Sequence, residues 1–137
     1  MNRYSLADLK TGHAESFTAV ITAEMLTKFR DITGDINPLH NDEAFAAERG
    51  YPSRVVYGML VASLYSTLAG VYLPGERCLL HEVDAKFKKP VFIGDELTVS
   101  GTISEINETF SRLEIDARVT NQNGETVNRA KIIAGII

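Results

Sequence analysis

The chain has 137 residues, 45% of them hydrophobic, and a formal net charge of −4, which fits one compact domain with a real core and leaves no room for two ordinary ones. The acidic balance excludes a global attraction to nucleic acid or to an anionic membrane, so neither is expected as a partner, and any anionic ligand has to be met by local Lys and Arg. Cys78 is the only cysteine, which excludes an intrachain disulfide and a multi-cysteine zinc site and suits a reducing compartment. "MNRYSLADLK" lacks the apolar run of a leader, and no stretch is long and dry enough to cross a bilayer, so a cytoplasmic location is expected.

In chain order, Phe17 to Ile21 alternates apolar and polar residues as a half-buried strand does, and Thr22 is placed to cap a helix over Ala23 to Ile32, with Met25, Leu26 and Phe29 on one face and Gly34 at its end. A second short helix is predicted from Glu43 to Arg49, capped by Asn41 or Asp42 and stopped by Gly50. "VVYGMLVASLYSTLAGVYLPG" predicts a third helix from Tyr57 to Val71, closed by Pro74 and Gly75. Its apolar residues, Met59 to Ala62, Leu64, Tyr65, Leu68 and Ala69, cover nearly the whole circumference, so this helix is expected to be buried.

From there the period becomes two. Val83, Ala85 and Phe87 alternate with charged residues, as do Leu113, Ile115, Ala117 and Val119; "ELTVSGTISEI" and "ETVNRAKIIAGII" complete the strands, and Asn123-Gly124 predicts a hairpin turn. A buried helix followed by antiparallel strands implies an α+β fold, a single domain over residues 1–137 with its sheet curled around that helix.

The chemistry concentrates in "GDINPLHNDEAF". Asp35 and His40 would stand about 140° apart around a helix axis, so a continuous helix could not aim both at one substrate atom. Pro38 disfavours helical geometry at Asn37 and makes a fixed turn in a loop plausible, with both side chains on one side. An Asp beside a His, with an Asn to steady them, is a general acid and base set for moving protons to and from water near neutral pH. The same residue types also build ordinary turns, with His40 on the surface, and the composition of the loop leaves both readings open.

"GDINPLHNDEAFA", "VVYGMLVASLYSTLAGVYLPG" and "FKKPVFIGDELTVSGTI", in that order, resemble the MaoC-like (R)-specific enoyl-CoA hydratases of the hot-dog superfamily. The resemblance runs from about Met25 to Glu105 and implies a long central helix wrapped by an antiparallel sheet, in a homodimer whose sheets join. It implies Asp35 and His40 as the catalytic pair gripping the water, Asn37 as their support, and addition of water to a trans-2-enoyl thioester to give an R product, or the reverse. Gly58, at the helix entrance, would bring backbone N–H groups to the thioester oxygen, where enolate charge builds. Ser66 matches the position that hydrogen-bonds the aspartate, and Tyr57 stands where many members carry a histidine. Close helix packing for Gly58, a bond from Ser66 to its own backbone, and plain aromatic packing for Tyr57 are the structural alternatives.

The resemblance implies no metal and no redox cofactor; coenzyme A or carrier-protein pantetheine enters as part of the acyl thioester substrate. Two other functions share these residues or this fold: a 3-hydroxyacyl-carrier-protein dehydratase and a non-catalytic acyl-thioester-binding module. A thioesterase shares the fold but not the motif. The second is opposed by the intact Asp35, Asn37 and His40 set, since binding alone requires no proton-transfer pair. Pocket depth is expected to follow the packing of Tyr51, Met59, Tyr65 and Phe92. His13, His81 and Cys78 are expected to be structural, and Lys86, Lys88 and Lys89 to be solvated strand charges.

Overall fold

Five strands form one antiparallel sheet in the order β1-β3-β4-β5-β2, in a computed structural model that describes residues 1–137. The strands are β1 (Ala14–Val20), β2 (Cys78–Phe87), β3 (Glu96–Asn107), β4 (Arg112–Thr120) and β5 (Thr126–Ile136). Between β1 and β2 lie the helices α1 (Ala23–Thr33), α2 (Pro38–Asn41), α3 (Glu43–Glu48) and α4 (Gly58–Thr67), and α4 continues as a wider π-helical turn over Leu68–Tyr72. This is the α+β hot-dog arrangement, a long helix lying in the hollow of a curved antiparallel sheet.

Alternation puts the core on one face of the sheet. Leu97, Val99 and Ile103 of β3, Leu113, Ile115 and Val119 of β4, and Ile132 and Ala134 of β5 are buried against Val61, Tyr65 and Leu68 of the helix. Register is strict in such a sheet because a one-residue slip would turn this whole set outward. At Gly101 a Cβ would come within 2.8 Å of Leu68 and 2.9 Å of Ile115, so the missing side chain lets helix and sheet approach.

The helix ends follow their sequence signals. Thr22 accepts from the Met25 N–H, Gly34 closes α1 at φ 73°, and Asp42 rather than Asn41 caps α3 through the Phe45 N–H. The loop expected to stay out of a helix instead contains one helical turn, α2, which starts at Pro38 with Asn37 as its cap. Proline supports this because the first helical position needs no N–H donor, while Asn37 itself stays non-helical at ψ 127°.

Two burial expectations are corrected. The central helix is not covered all round, since Met59 is 63% exposed and Ser63 and Ser66 are also open, because the sheet reaches only the face carrying Val61, Ala62 and Tyr65. Strand β2 has no dry face in the single chain: Leu79, Val83 and Phe87 are exposed on the free edge of the sheet.

The turn after the helical extension is pinned from the N-terminus. Asn2 N–H donates to the Val71 carbonyl, the Asn2 carbonyl accepts from Glu76 N–H, and Gly75 sits at φ 89° with its would-be Cβ 2.2 Å from the Asn2 carbonyl oxygen. Gly75→Ala therefore adds both left-handed strain and a backbone clash, and is expected to cost about 1–3 kcal/mol, or several degrees in Tm. Thermal unfolding of the variant within a degree of the parent would contradict this packing.

Candidate active site

The helical turn at Pro38 organises the motif. Asn37 Oδ1 accepts from the Leu39 N–H at 2.9 Å, its carbonyl accepts from the Asn41 side chain at 2.9 Å, and Asp35 Oδ1 accepts from the Asn37 N–H at 3.0 Å. Asp35 lies before this turn and His40 within it, so the break at Asn37 frees the two side chains from the angular spacing of a single helix. Asn37 thus acts through the backbone, as the cap of α2, and not as a wall of the cavity.

His40 is half-buried and its Nδ1 lies 2.6 Å from the Val55 carbonyl oxygen. A carbonyl can only accept, so Nδ1 carries the proton and Nε2 keeps the lone pair in the neutral ring. Val55 is held in turn by its N–H to the Leu39 carbonyl, and Val56 by its N–H to the Val91 carbonyl.

Tyr57 is 2% exposed and packs its ring between Phe29 and His40, with centroids at 5.0 and 4.2 Å. Its hydroxyl donates to the Asp35 main-chain carbonyl at 2.7 Å and accepts from the Asn41 side chain at 3.0 Å. Asn41 was visible in the sequence only as a possible helix cap. The structure makes it the second prop of the loop, a role signalled by its place four residues after Asn37 in a helical turn.

Asp35, His40, Tyr57 and Gly58 line one cavity of about 480 Å³, with Phe29, Thr33, Met59 and Phe87 as the remaining wall. His40 and Gly58 also border a second cavity of about 310 Å³, walled by Val56, Val61, Val91 and Val127, with Lys88 and Lys89 among its lining residues. Gly58 begins α4, where no side chain caps the helix and the Leu60 and Val61 N–H groups both turn back to the Tyr57 carbonyl. The first amides of α4 therefore stay available to a ligand oxygen at the positive end of the helix. A Cβ at Gly58 would lie 3.0 Å from the Phe87 ring, so glycine also keeps this passage open.

Ser66 is the predicted site residue that the chain does not bring to this cluster. It stands eight residues beyond Gly58, about 12 Å along the helix, on the exposed face, and no hydrogen bond joins it to Asp35. Of the residues expected to set pocket depth, Met59 walls the larger cavity and Tyr51 the smaller, whereas Tyr65 is fully buried with its hydroxyl donating to Asn128 Oδ1 at 2.9 Å. Burial raises the Tyr65 phenol well above its ordinary pKa, which keeps that proton on the oxygen. No three His, Cys, Asp or Glu side chains converge as a metal-ligand group. No helix is long and apolar enough to cross a membrane.

Comparison with known proteins gives one answer along the chain. The MaoC-like domain family matches residues 9–125. The (R)-specific enoyl-CoA hydratase of Aeromonas caviae is 34% identical over 120 residues, covering 88% of this chain and 90% of that protein. The solved structure of the (R)-hydratase from A. caviae superposes with a TM-score of 0.90 at 31% identity, over 94% of this chain and 98% of that one. The unliganded R-hydratase PhaJ1 from Pseudomonas aeruginosa gives 0.91 at 30% identity, over 96% and 84%. Matched along most of its length in sequence and in fold, the chain belongs to the MaoC-like family.

Proposed function

We propose that the cavity at Asp35 and His40 is the active site of an (R)-specific enoyl-CoA hydratase, a hydro-lyase that adds water to a trans-2-enoyl thioester and catalyses the reverse dehydration. The observation that carries this is the convergence of a carboxylate, an imidazole of fixed tautomer and open helix N-terminal amides on a single cavity. A relative matching 88% of the chain has this activity in its name.

Each group then has a task set by its chemistry. The Asp35 carboxylate and the His40 Nε2 lone pair accept the hydrogens of one water and orient its oxygen toward C3. As that oxygen bonds C3, electron density moves through C2 to the thioester oxygen, where the first amides of α4 meet the developing charge. One proton passes from the water through the pair to C2, so both groups end as they began. Neither a metal nor a redox cofactor is needed for these steps, and coenzyme A serves only as the carrier of the acyl group. The acyl thioester is the partner so implied.

The same reading takes the working form to be a homodimer. Leu80, Val83 and Phe87, on one face of the edge strand β2, are 40%, 36% and 55% exposed, a row of apolar side chains beside unpaired strand backbone of the kind proteins normally cover. Edge-to-edge pairing of two β2 strands about a two-fold axis would cover it and join the sheets. Phe87 and Met59 also wall the cavity, so the partner would close the site as well.

Purified protein is expected to hydrate crotonyl-CoA to a 3-hydroxy product of R configuration, followed by loss of the conjugated double bond and chiral analysis. Asp35→Asn and His40→Gln should each lower kcat by about 10²-fold or more, with the double variant little worse than either alone. Near-parent kcat in both single variants, or mainly S product, would refute the assignment. Tyr57→Phe keeps the aromatic packing but strands the Asp35 carbonyl and the Asn41 amide. It should lose about 1–2 kcal/mol in urea unfolding and reduce kcat more than it raises KM, whereas an unchanged kcat would make Tyr57 a packing residue only. Light scattering at micromolar concentration should return about twice the 15.1 kDa of one chain; a mass of one chain would remove the dimer.

A further inference from the structure

Asn128 is the one buried polar residue of the chain, at 1% exposure, and its Nδ2 has no hydrogen-bond partner. It lies on the helix-facing side of β5, in register with Phe87 of β2 and Val119 of β4. The Tyr65 hydroxyl, itself in a fully buried residue, donates to Asn128 Oδ1 at 2.9 Å. Turning the amide over would leave both the phenol proton and Oδ1 without partners, whereas the observed orientation leaves only the NH2 unpaired. Tyr65 thus fixes which end of the amide is spent and which is free.

A buried N–H without an acceptor is costly, and an apolar residue of the same size would fill the position without that cost. The location supplies a reason for keeping it. Asn128 lines the 310 Å³ cavity together with His40 and Gly58; Val55, Val56, Val61, Val91 and Val127 make most of its apolar wall, and Lys88 and Lys89 also line it. Gly58, Val61 and Tyr65 follow one another along one face of α4, a rise of about 10 Å from first to last. Tyr65 does not itself line the cavity but supports Asn128, which borders it together with Gly58, Phe87 and the valines. An acyl chain entering this cavity with its carbonyl at Gly58 would run beside Asn128.

We propose that Asn128 is a specificity residue whose side-chain N–H binds an oxygen carried on the acyl chain beyond the reacting carbons, so that the site selects short oxygenated acyl thioesters over plain alkyl ones of the same shape. This rests on the reading of the cavity as an acyl-thioester site. The selection follows from asymmetry: an alkyl group entering beside Asn128 leaves the N–H unsatisfied, while a ketone, hydroxyl or carboxylate oxygen accepts from it. Sites built to hydrogen-bond a ligand group discriminate strongly against analogues that lack it.

The test uses saturated acyl-CoA ligands, which bind without turnover, so it does not depend on hydratase activity. Dissociation constants are measured for hexanoyl-CoA esters bearing a ketone at C4 or C5, each against the control with a methyl branch at the same carbon, and for the C6 position as the aldehyde hydrate against heptanoyl-CoA. In the parent protein at least one oxygenated ligand should bind about tenfold tighter than its control or better. Asn128→Leu should bring that ratio to within about twofold, and Asn128→Val, which also removes the donor, should do the same. If Asn128→Leu does not fold, Asn128→Leu with Tyr65→Phe removes the stranded hydroxyl and serves in its place. Parent ratios within twofold at every position would mean that a trapped water satisfies the amide, and would overturn the proposal. So would a ratio unchanged by both substitutions, or an equal loss on every ligand, which would place Asn128 on the thioester carbonyl instead. Crotonyl-CoA hydration is measured in parallel. Its absence beside an intact binding preference would sink the hydratase reading and leave the Asn128 assignment standing.

Discussion

The hydroxyl of Tyr57 holds the loop of Asp35 and His40 to the helix it faces. One oxygen donates to the Asp35 carbonyl and accepts from the Asn41 amide, so the residues on both sides of the break at Asn37 are tied to a single point. That point is rigid because Tyr57 is buried and immediately precedes Gly58, so any motion of the loop relative to the amides of α4 has to pull against the same residue. The phenol ring packed at a tilt against His40 restrains the imidazole from one side while the Val55 carbonyl holds its Nδ1–H from another. Positioning of this kind matters, since a shift of about 1 Å in a reacting group can cost around 10²-fold in rate. The reach of Tyr57 to the Asp35 carbonyl is what anchors the loop at this point.

Water exclusion links the site to the free sheet edge. Asp35 is exposed in the single chain, and the proposed reaction calls for a site from which bulk water is excluded. The surfaces available for closure are apolar and adjacent: Met59 on the open face of α4, and Phe87 at the end of β2. The proposed dimer would serve the chemistry as well as the sheet, because the edge strand β2 also supplies Phe87 to the cavity wall.

How much of this was legible in the sequence depended on whether the determining contact was local. The strands β3, β4 and β5 were readable from alternation because each has one face on the core, and the Thr22, Asp42 and Gly34 caps were readable because their bonds span only a few residues. The burial of α4 was overread. An apolar circumference records everything the helix will touch, and periodicity cannot separate contacts made by its own sheet from those left for another surface. Strand β2 failed for the same reason. The turn at Pro38 was half-read, since proline forbids a helix before it and permits one starting at it. Ser66 was carried by resemblance alone, and in the isolated chain nothing local draws it to Asp35.

Asn128 shows where a sequence signal existed but went unread. In "ETVNRAKIIAGII" it shares the parity of Ala130, Ile132 and Ala134, which all face the core, so an amide on that parity is a break in pattern. Such breaks are informative because they are costly: an unpaired buried donor gives up about 1–3 kcal/mol, a visible fraction of the roughly 5–15 kcal/mol that holds a domain together. The chain tolerates that loss at one position, beside the cavity, and supports it with a second buried polar group that has no other bond. Tyr65 would serve the core equally well as phenylalanine if Asn128 were apolar, so its hydroxyl has a purpose only in relation to the amide. Tyr65 supports from behind a polar group that stands among the valines of the wall. Its physical effect is to make the acyl end of the cavity a place where a hydrocarbon chain is penalised and an oxygen is rewarded.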